Sequence, residues 1–195
     1  AGLAIAVAFA AVKTFRWRWL LARLGVPCTR AEAFRSYLGG LAVGLTTPGR
    51  IGEIARSLYL PAEDRAFVAG AAFLDKVFDV STILAVGGLG CVAQGFAGSG
   101  MLLLAAAVAL GSAPFLPARA VEWIVGAIPV GVVRRLLEAL ARPVARATPS
   151  MLVLAFVQAA AAFALTAVQF HLCLSAFAPA PLGATFFVLP LMILS

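Results

Sequence analysis

The chain of 195 residues is 63% hydrophobic and only 12% charged, with a formal net charge of +7 and a mean hydropathy of +1.04. A water-soluble domain carries roughly 25% charged residues, so this composition excludes a soluble globular fold and indicates an all-α, polytopic integral membrane bundle. The basic residues fall in short clusters between apolar runs, as in the cytoplasmic loops of membrane proteins, and nucleic acid is excluded as a partner.

In chain order, residues 1–12 form the end of a spanning helix that leaves the membrane at Lys13. Trp17 and Trp19, beside Lys13, Arg16 and Arg18, are the expected interfacial anchors, and residues 13–35 form a cytoplasmic loop. Residues 37–47 are apolar and Gly-rich, but eleven helical residues rise only about 16 Å, against about 30 Å of hydrocarbon. A charged patch of Arg50, Glu53, Arg56, Glu63, Asp64 and Arg65 follows. Residues 66–93 then span, turn outside at 94–100, and return as a second span over 101–115. The segment 119–146 carries five Arg and two Glu. Its Val132, Val133, Leu136, Leu137 and Leu140 share one face opposite Arg135, Glu138 and Arg142, which suits an interfacial helix or a solvated connector. Residues 151–177 span again, an uncharged turn covers 178–181, and a further span begins at Leu182. The whole reads as a single transmembrane domain over 1–195, multi-pass in the cell (inner or plasma) membrane. Both ends fall inside apolar runs, as expected of an internal fragment.

The positive-inside rule puts cytoplasmic charge on both flanks of residues 37–47, which therefore dip in and return as a re-entrant segment. Non-helical backbone at that depth must line a cavity or be covered by protein. Thr47 is placed to cap and Pro48 to open a helix over 49–60, with Ile51, Ile54, Ala55 and Leu58 on its apolar face. Arg50 in its first turn is the wrong charge for a positive helix end. Two readings stand. Either Arg50 simply faces the cytoplasm, or it joins free amides of Gly49 and Gly52 in an anion site suited to a lipid phosphate.

A second group of charges, Asp75, Lys76 and Asp79, lies in the cytoplasmic half of the 66–93 span. Asp75 and Asp79 share a helix face, and each charge costs about 2.5–3.5 kcal/mol at mid-bilayer on insertion scales. Either the helix begins near Asp75, among headgroups, or the group is partly immersed with Arg50 or Arg56 as partners. His171, mid-span, is expected to be a packed, hydrogen-bonded residue. The glycines at 39, 40, 44, 87, 88 and 90 are suited to close helix packing. The three cysteines show no metal-type spacing. No Ser/His/Asp arrangement, metal cluster or nucleotide loop stands out, so neither enzymatic activity nor a cofactor is expected.

The stretch SYLGGLAVGLTTPGRIGEIARSLYL, followed by FLDKVFDVSTIL, resembles the lysylphosphatidylglycerol synthase transmembrane region, the flippase domain of the multiple peptide resistance factor proteins and their stand-alone relatives. Pro48, Gly49, Arg50, Gly52, Glu53, Arg56 and Tyr59 match its first motif, and Asp75 and Asp79 its second. Lys76 replaces the usual Arg, keeping the charge and losing the planar fork. The resemblance implies part of an inverted-repeat, transporter-like fold. It implies translocation of an anionic or aminoacylated phospholipid, or a polyprenyl-linked lipid, rather than lipid synthesis. Thr47, Gly49, Arg50, Gly52, Glu53 and Arg56 would meet the headgroup, and Asp75, Lys76 and Asp79 would form an intramembrane charge cluster. The partners it implies are membrane lipids and a fused or separate lipid-modifying synthase, with homo-oligomerisation left open. Two other functions fit the residues: a membrane-embedded lipid or glycosyl transferase using the acids as base or metal ligands, and a non-catalytic scaffold for a lipid synthase.

Overall fold

A computed structural model describes residues 2–61, 64–116, 120, 138, 141–176, 185, 188–190 and 192, without the side chains of residues 2 and 48–51. Among these residues all regular structure is helical: α1 (Gly2–Arg23), α2 (Arg30–Leu45), a 3₁₀ segment (Pro48–Tyr59), α3 (Arg65–Ala93), α4 (Ala97–Ser112), a 3₁₀ turn (Ala113–Phe115) and α5 (Pro149–Ser175). Three stretches are long and apolar enough to cross a membrane: Arg65–Ala93, Ala97–Phe115 and Pro149–Ser175. They match the expected spans to within a few residues, and each is a predominantly apolar helix that satisfies its own backbone hydrogen bonds. The expected interfacial helix falls mostly on residues 121–137, outside the described residues. Of the last expected span only Thr185, Val188, Leu189, Pro190 and Met192 are described, all helical.

The helices pack as two compact units, one of Ala1–Lys13, Val77–Gly111 and Phe156–Ser195, the other of Thr14–Lys76 and Ser112–Ala155. In the first unit, Ile83, Phe163, Ala167 and Leu189 form an apolar core joined by Val86 and Phe170. Phe78 meets Phe156 edge to face, with ring centroids 6.3 Å apart. The α3 and α4 backbones touch where glycines meet. A Cβ on Gly88 would lie 2.9 Å from the Gly100 carbonyl oxygen, and one on Gly100 2.7 Å from that of Gly88. Gly95, at φ +86°, turns the chain between these helices. His171 Nδ1 lies 3.1 Å from the hydroxyl of buried Thr185, which bears out the expectation of a hydrogen-bonded histidine.

The second unit differs from expectation at its start. Helix α1 does not end at Lys13 but continues unbroken to Arg23, and Arg16 and Trp17 are fully buried rather than interfacial. Two of its cations, Lys13 and Arg16, are paired with the carboxylates of Asp79 and Asp75 within the protein. Helix α2 opens with a reciprocal cap. The Thr29 hydroxyl accepts from Glu32 N–H at 3.2 Å, and Thr29 N–H donates to Glu32 Oε2 at 2.7 Å. These bonds from Thr29 hold the Glu32 carboxyl below the usual carboxylate range.

Helix α2 and the 3₁₀ segment form an antiparallel hairpin, since a Cβ on Gly40 would meet Glu53 and Arg56, whereas one on Gly52 would meet Val43 and Thr47. Its two arms match in length. The 16 residues of α2 rise about 24 Å as an α-helix, and 12 residues wound as 3₁₀ also rise about 24 Å. A 3₁₀ run of this length is uncommon.

The winding corrects the expected α-helix over 49–60 and its apolar face. Leu58 is exposed and Ile54 and Ala55 are half-buried, while Glu53, Arg56, Ser57 and Leu60 are buried. Three residues per turn place Glu53 and Arg56 in line, so the ionic side of this segment faces inward.

Candidate functional site

In the second unit one network links Arg16, Glu53, Arg56 and Lys76 with Asp75. This residue lies ten positions into α3, whose first residue is Arg65, so it sits about 15 Å along the helix. Helix α3 therefore does not begin near Asp75. Its Oδ1 is 2.7 Å from Arg16 Nη2, and its Oδ2 accepts from Arg56 Nη1 at 2.8 Å. Arg16 Nη2 also donates to the Asp75 carbonyl at 2.9 Å. Arg56 Nη2 donates to Glu53 Oε2 at 2.8 Å, and Glu53 Oε1 lies 3.7 Å from Lys76 Nζ. Three elements, α1, the 3₁₀ segment and α3, are thus joined by one buried network.

Aromatic and hydroxyl groups fix Arg56 in place. Its guanidinium lies 5.4 Å from the centroid of the Trp17 ring and 5.3 Å from that of Tyr37, both within cation–π range. Trp17 Nε1 donates to Ser36 Oγ at 3.1 Å, and Ser36 donates to the Arg56 carbonyl at 2.8 Å. Gly40 makes room for the Arg56 stem, since a Cβ there would clash with Arg56 Cγ.

The turn before the 3₁₀ segment is held by Thr47, the residue expected to cap it. Its hydroxyl lies 3.1 Å from the Gly44 carbonyl, to which it donates, and accepts from Gly52 N–H at 2.8 Å. Thr47 makes no side-chain cap bond to the first turn, and Gly52 does not offer the free amide expected of it, because its N–H donates to the Thr47 hydroxyl. Gly49 and Arg50 lie in the first turn of the segment, with side-chain positions 48–51 outside the described residues.

Of the expected charge cluster, Asp75 and Lys76 belong to this network, together with Glu53 and Arg56. Asp79 belongs to the other unit, where it pairs with Lys13. Lys13 also lies 5.8 Å from the centroid of the Phe9 ring. The anticipated pairing of the aspartates with Arg56 holds for Asp75.

Arg16 and Trp17 were not legible as site residues, because their partners lie 59 and 19 positions away. The available signal was a spacing match: Lys13 and Arg16 three apart, Asp79 and Asp75 four apart, two charge ladders of opposite sign. At the rim of the second unit, Arg142 Nη1 donates to Asp64 Oδ2 at 2.8 Å. Arg146 lies 4.6 Å from the centroid of the Phe67 ring. The Phe67 N–H, and then Arg142, hold the Asp64 carboxyl below its ordinary value.

Comparison with known proteins gives one family match. The model described as Lysylphosphatidylglycerol synthase TM region matches residues 1–195. No curated protein and no solved structure matches.

Proposed function

We propose, from the premise that this chain belongs to the lysylphosphatidylglycerol synthase TM region family, that it moves a phosphate-bearing lipid between the leaflets of a cell membrane. The family establishes a membrane protein with a lipid-related role, and translocation is our reading of how that role is carried out.

The observation that carries the reading is the buried network of Arg16, Glu53, Arg56, Asp75 and Lys76. Packing alone does not call for it. Replacing a buried ion pair by apolar residues of similar volume is often neutral or stabilising, and ionisable groups at membrane depth are functional by default. A headgroup crossing the apolar layer needs polar partners along its way, and these side chains supply both signs of charge.

In this reading the α2–3₁₀ hairpin is re-entrant. Each arm is about 24 Å long, short of the roughly 30 Å hydrocarbon core. Thr47 and Gly52 lock its turn, and Gly49 and Arg50 lie at the positive end of the segment, where an anion is favoured. Glu53 and Lys76 meet the headgroup. Arg16, Arg56 and Asp75 hold Glu53 and Lys76 in position, and the protein works without a cofactor and without covalent chemistry on the lipid.

The test is reconstitution of the full-length protein in vesicles containing an acyl-labelled phospholipid, with a membrane-impermeant quencher outside. We expect the protected inner-leaflet fraction to become accessible, and Lys76→Gln to slow that step about tenfold. If no phospholipid moves faster than in protein-free vesicles, the proposal fails.

A further inference from the structure

The winding of Pro48–Tyr59 disagrees with the pattern of its own side chains. The buried residues Glu53, Arg56, Ser57 and Leu60 are spaced i, i+3, i+4 and i+7, the spacing of one α-helical face. Ile54, Ala55 and Leu58, half-buried or exposed, fill the positions between them. In an α-helix each set spans about 100°, and the two lie on opposite sides. At three residues per turn the sets mix. Half-buried Ile54 then shares a row with buried Ser57 and Leu60, and exposed Tyr59 shares one with buried Glu53 and Arg56.

Local chemistry favours the α winding as well. From Glu53 to Leu60 no Gly or Pro interrupts the chain. Glu, Ala, Arg and Leu are good α-formers, whereas 3₁₀ hydrogen bonds have the poorer geometry. The partner arm opposes this preference. A Cβ on Gly52 would lie 2.7 Å from the Val43 carbonyl oxygen, and one on Gly39 2.6 Å from the Tyr59 ring. The segment is thus held against α2 near its start and at its end, at a length that matches that helix.

We propose that Pro48–Tyr59 is a two-state coil, 3₁₀ in this structure and α-helical in a second state of similar free energy. Tertiary contacts favour the first state and the sequence favours the second, a conflict of the kind found at functional elements. Glu53 and Arg56 stay neighbours in both windings. Arg56, held by Trp17, Tyr37 and Asp75, is the fixed point. Conversion draws Gly49, in the first turn, about 3–4 Å toward it along the axis. The conversion stands apart from the translocation reading; its use as a step of lipid movement rests on that reading.

Engineered histidine pairs read the winding through Ni²⁺, which imidazole binds. Ile54→His with Leu58→His puts two rings about 40° apart in an α-helix and about 120° apart in a 3₁₀ coil, so this pair chelates in the α state alone. Ala55→His with Leu58→His, three positions apart, are neighbours in both windings and form the control. In calorimetry of the full-length protein in detergent, the four-apart pair is expected to bind Ni²⁺ within about tenfold of the control's affinity, the factor by which a minor state weakens binding. The protein without added histidines is the baseline. Binding above it by the control alone overturns the two-state coil. Ala55→His with Tyr59→His is a second four-apart pair and decides the matter if the first does not fold. In vesicles, Ni²⁺ is expected to slow movement of acyl-labelled phosphatidylglycerol strongly in the four-apart variant and hardly at all in the control. Equal effects on both overturn the coil's part in lipid movement while the two windings stand. If the unsubstituted protein moves no phospholipid, translocation falls, and the calorimetry still decides the coil.

Discussion

Asp75→Asn tests the central ion pairs directly. The substitution keeps the shape of the side chain and removes its charge, leaving Arg16 and Arg56 facing a neutral amide where each now lies 2.7–2.8 Å from a carboxylate oxygen. Breaking a buried pair by removing one partner costs about 3–5 kcal/mol, because a charge remains buried without compensation. For a chain of this size, 1 kcal/mol shifts the unfolding midpoint by about 2–4 °C, so a fall of roughly 6–20 °C is expected. Arg16→Met in the same chain removes one of the stranded cations, and the double variant should recover part of the loss. The assay is thermal unfolding in detergent, followed by tryptophan fluorescence, since Trp17 lies against Arg56. A midpoint within 2 °C of wild type for Asp75→Asn, or a double variant less stable than Asp75→Asn alone, would refute the reasoning.

Three further outcomes follow from the geometry. Gly100→Leu forces a side chain into the place where α3 and α4 touch through Gly88. A cost of about 1–3 kcal/mol or more is expected from overpacking, read as a lower unfolding midpoint. Thr47→Val removes the acceptor of the Gly52 N–H and should weaken the turn by about 1–2 kcal/mol, seen as faster amide exchange at Gly52 than at Phe78. The Asp64–Arg142 contact should depend on pH with a definite sign. Because the Asp64 pKa is lowered in the folded protein, its contribution is present in full above the ordinary carboxylate range near 3.9. It is lost as pH falls through the lowered value. Protection of the amides of residues 141–146, taken relative to the intrinsic exchange rate at each pH, should therefore fall at acidic pH, and Asp64→Asn should remove that dependence.

The spans were legible because each is predominantly apolar over at least 19 residues, even where Asp75, Lys76 and Asp79 interrupt the first. The segments over 65–93, 97–115 and 149–175 differ from the expected ones by a few residues. The Arg56–Asp75 pair was legible too, since both residues are out of place in an apolar chain. The continuation of α1 past Lys13 was not. Its Lys, Arg and Trp residues have the composition of an interfacial belt, and only the fold supplies the carboxylates that pair with Lys13 and Arg16. The 3₁₀ winding of Pro48–Tyr59 was equally hidden. A three-residue period and a 3.6-residue period diverge little over one turn, and a Glu–Arg pair at i,i+3 suits both.

That winding has a mechanical consequence. If Pro48–Tyr59 relaxed into an α-helix, its 12 residues would shorten by about 6 Å. Glu53 and Arg56, aligned at present, would swing about 60° apart. Tyr59, whose ring closes over Gly39, would be dragged along its neighbour by more than a helical turn. At i,i+3 the carboxylate and guanidinium are neighbours in either winding, so their contact is able to follow the coil through such a stroke and keep the pair neutralised along its whole length.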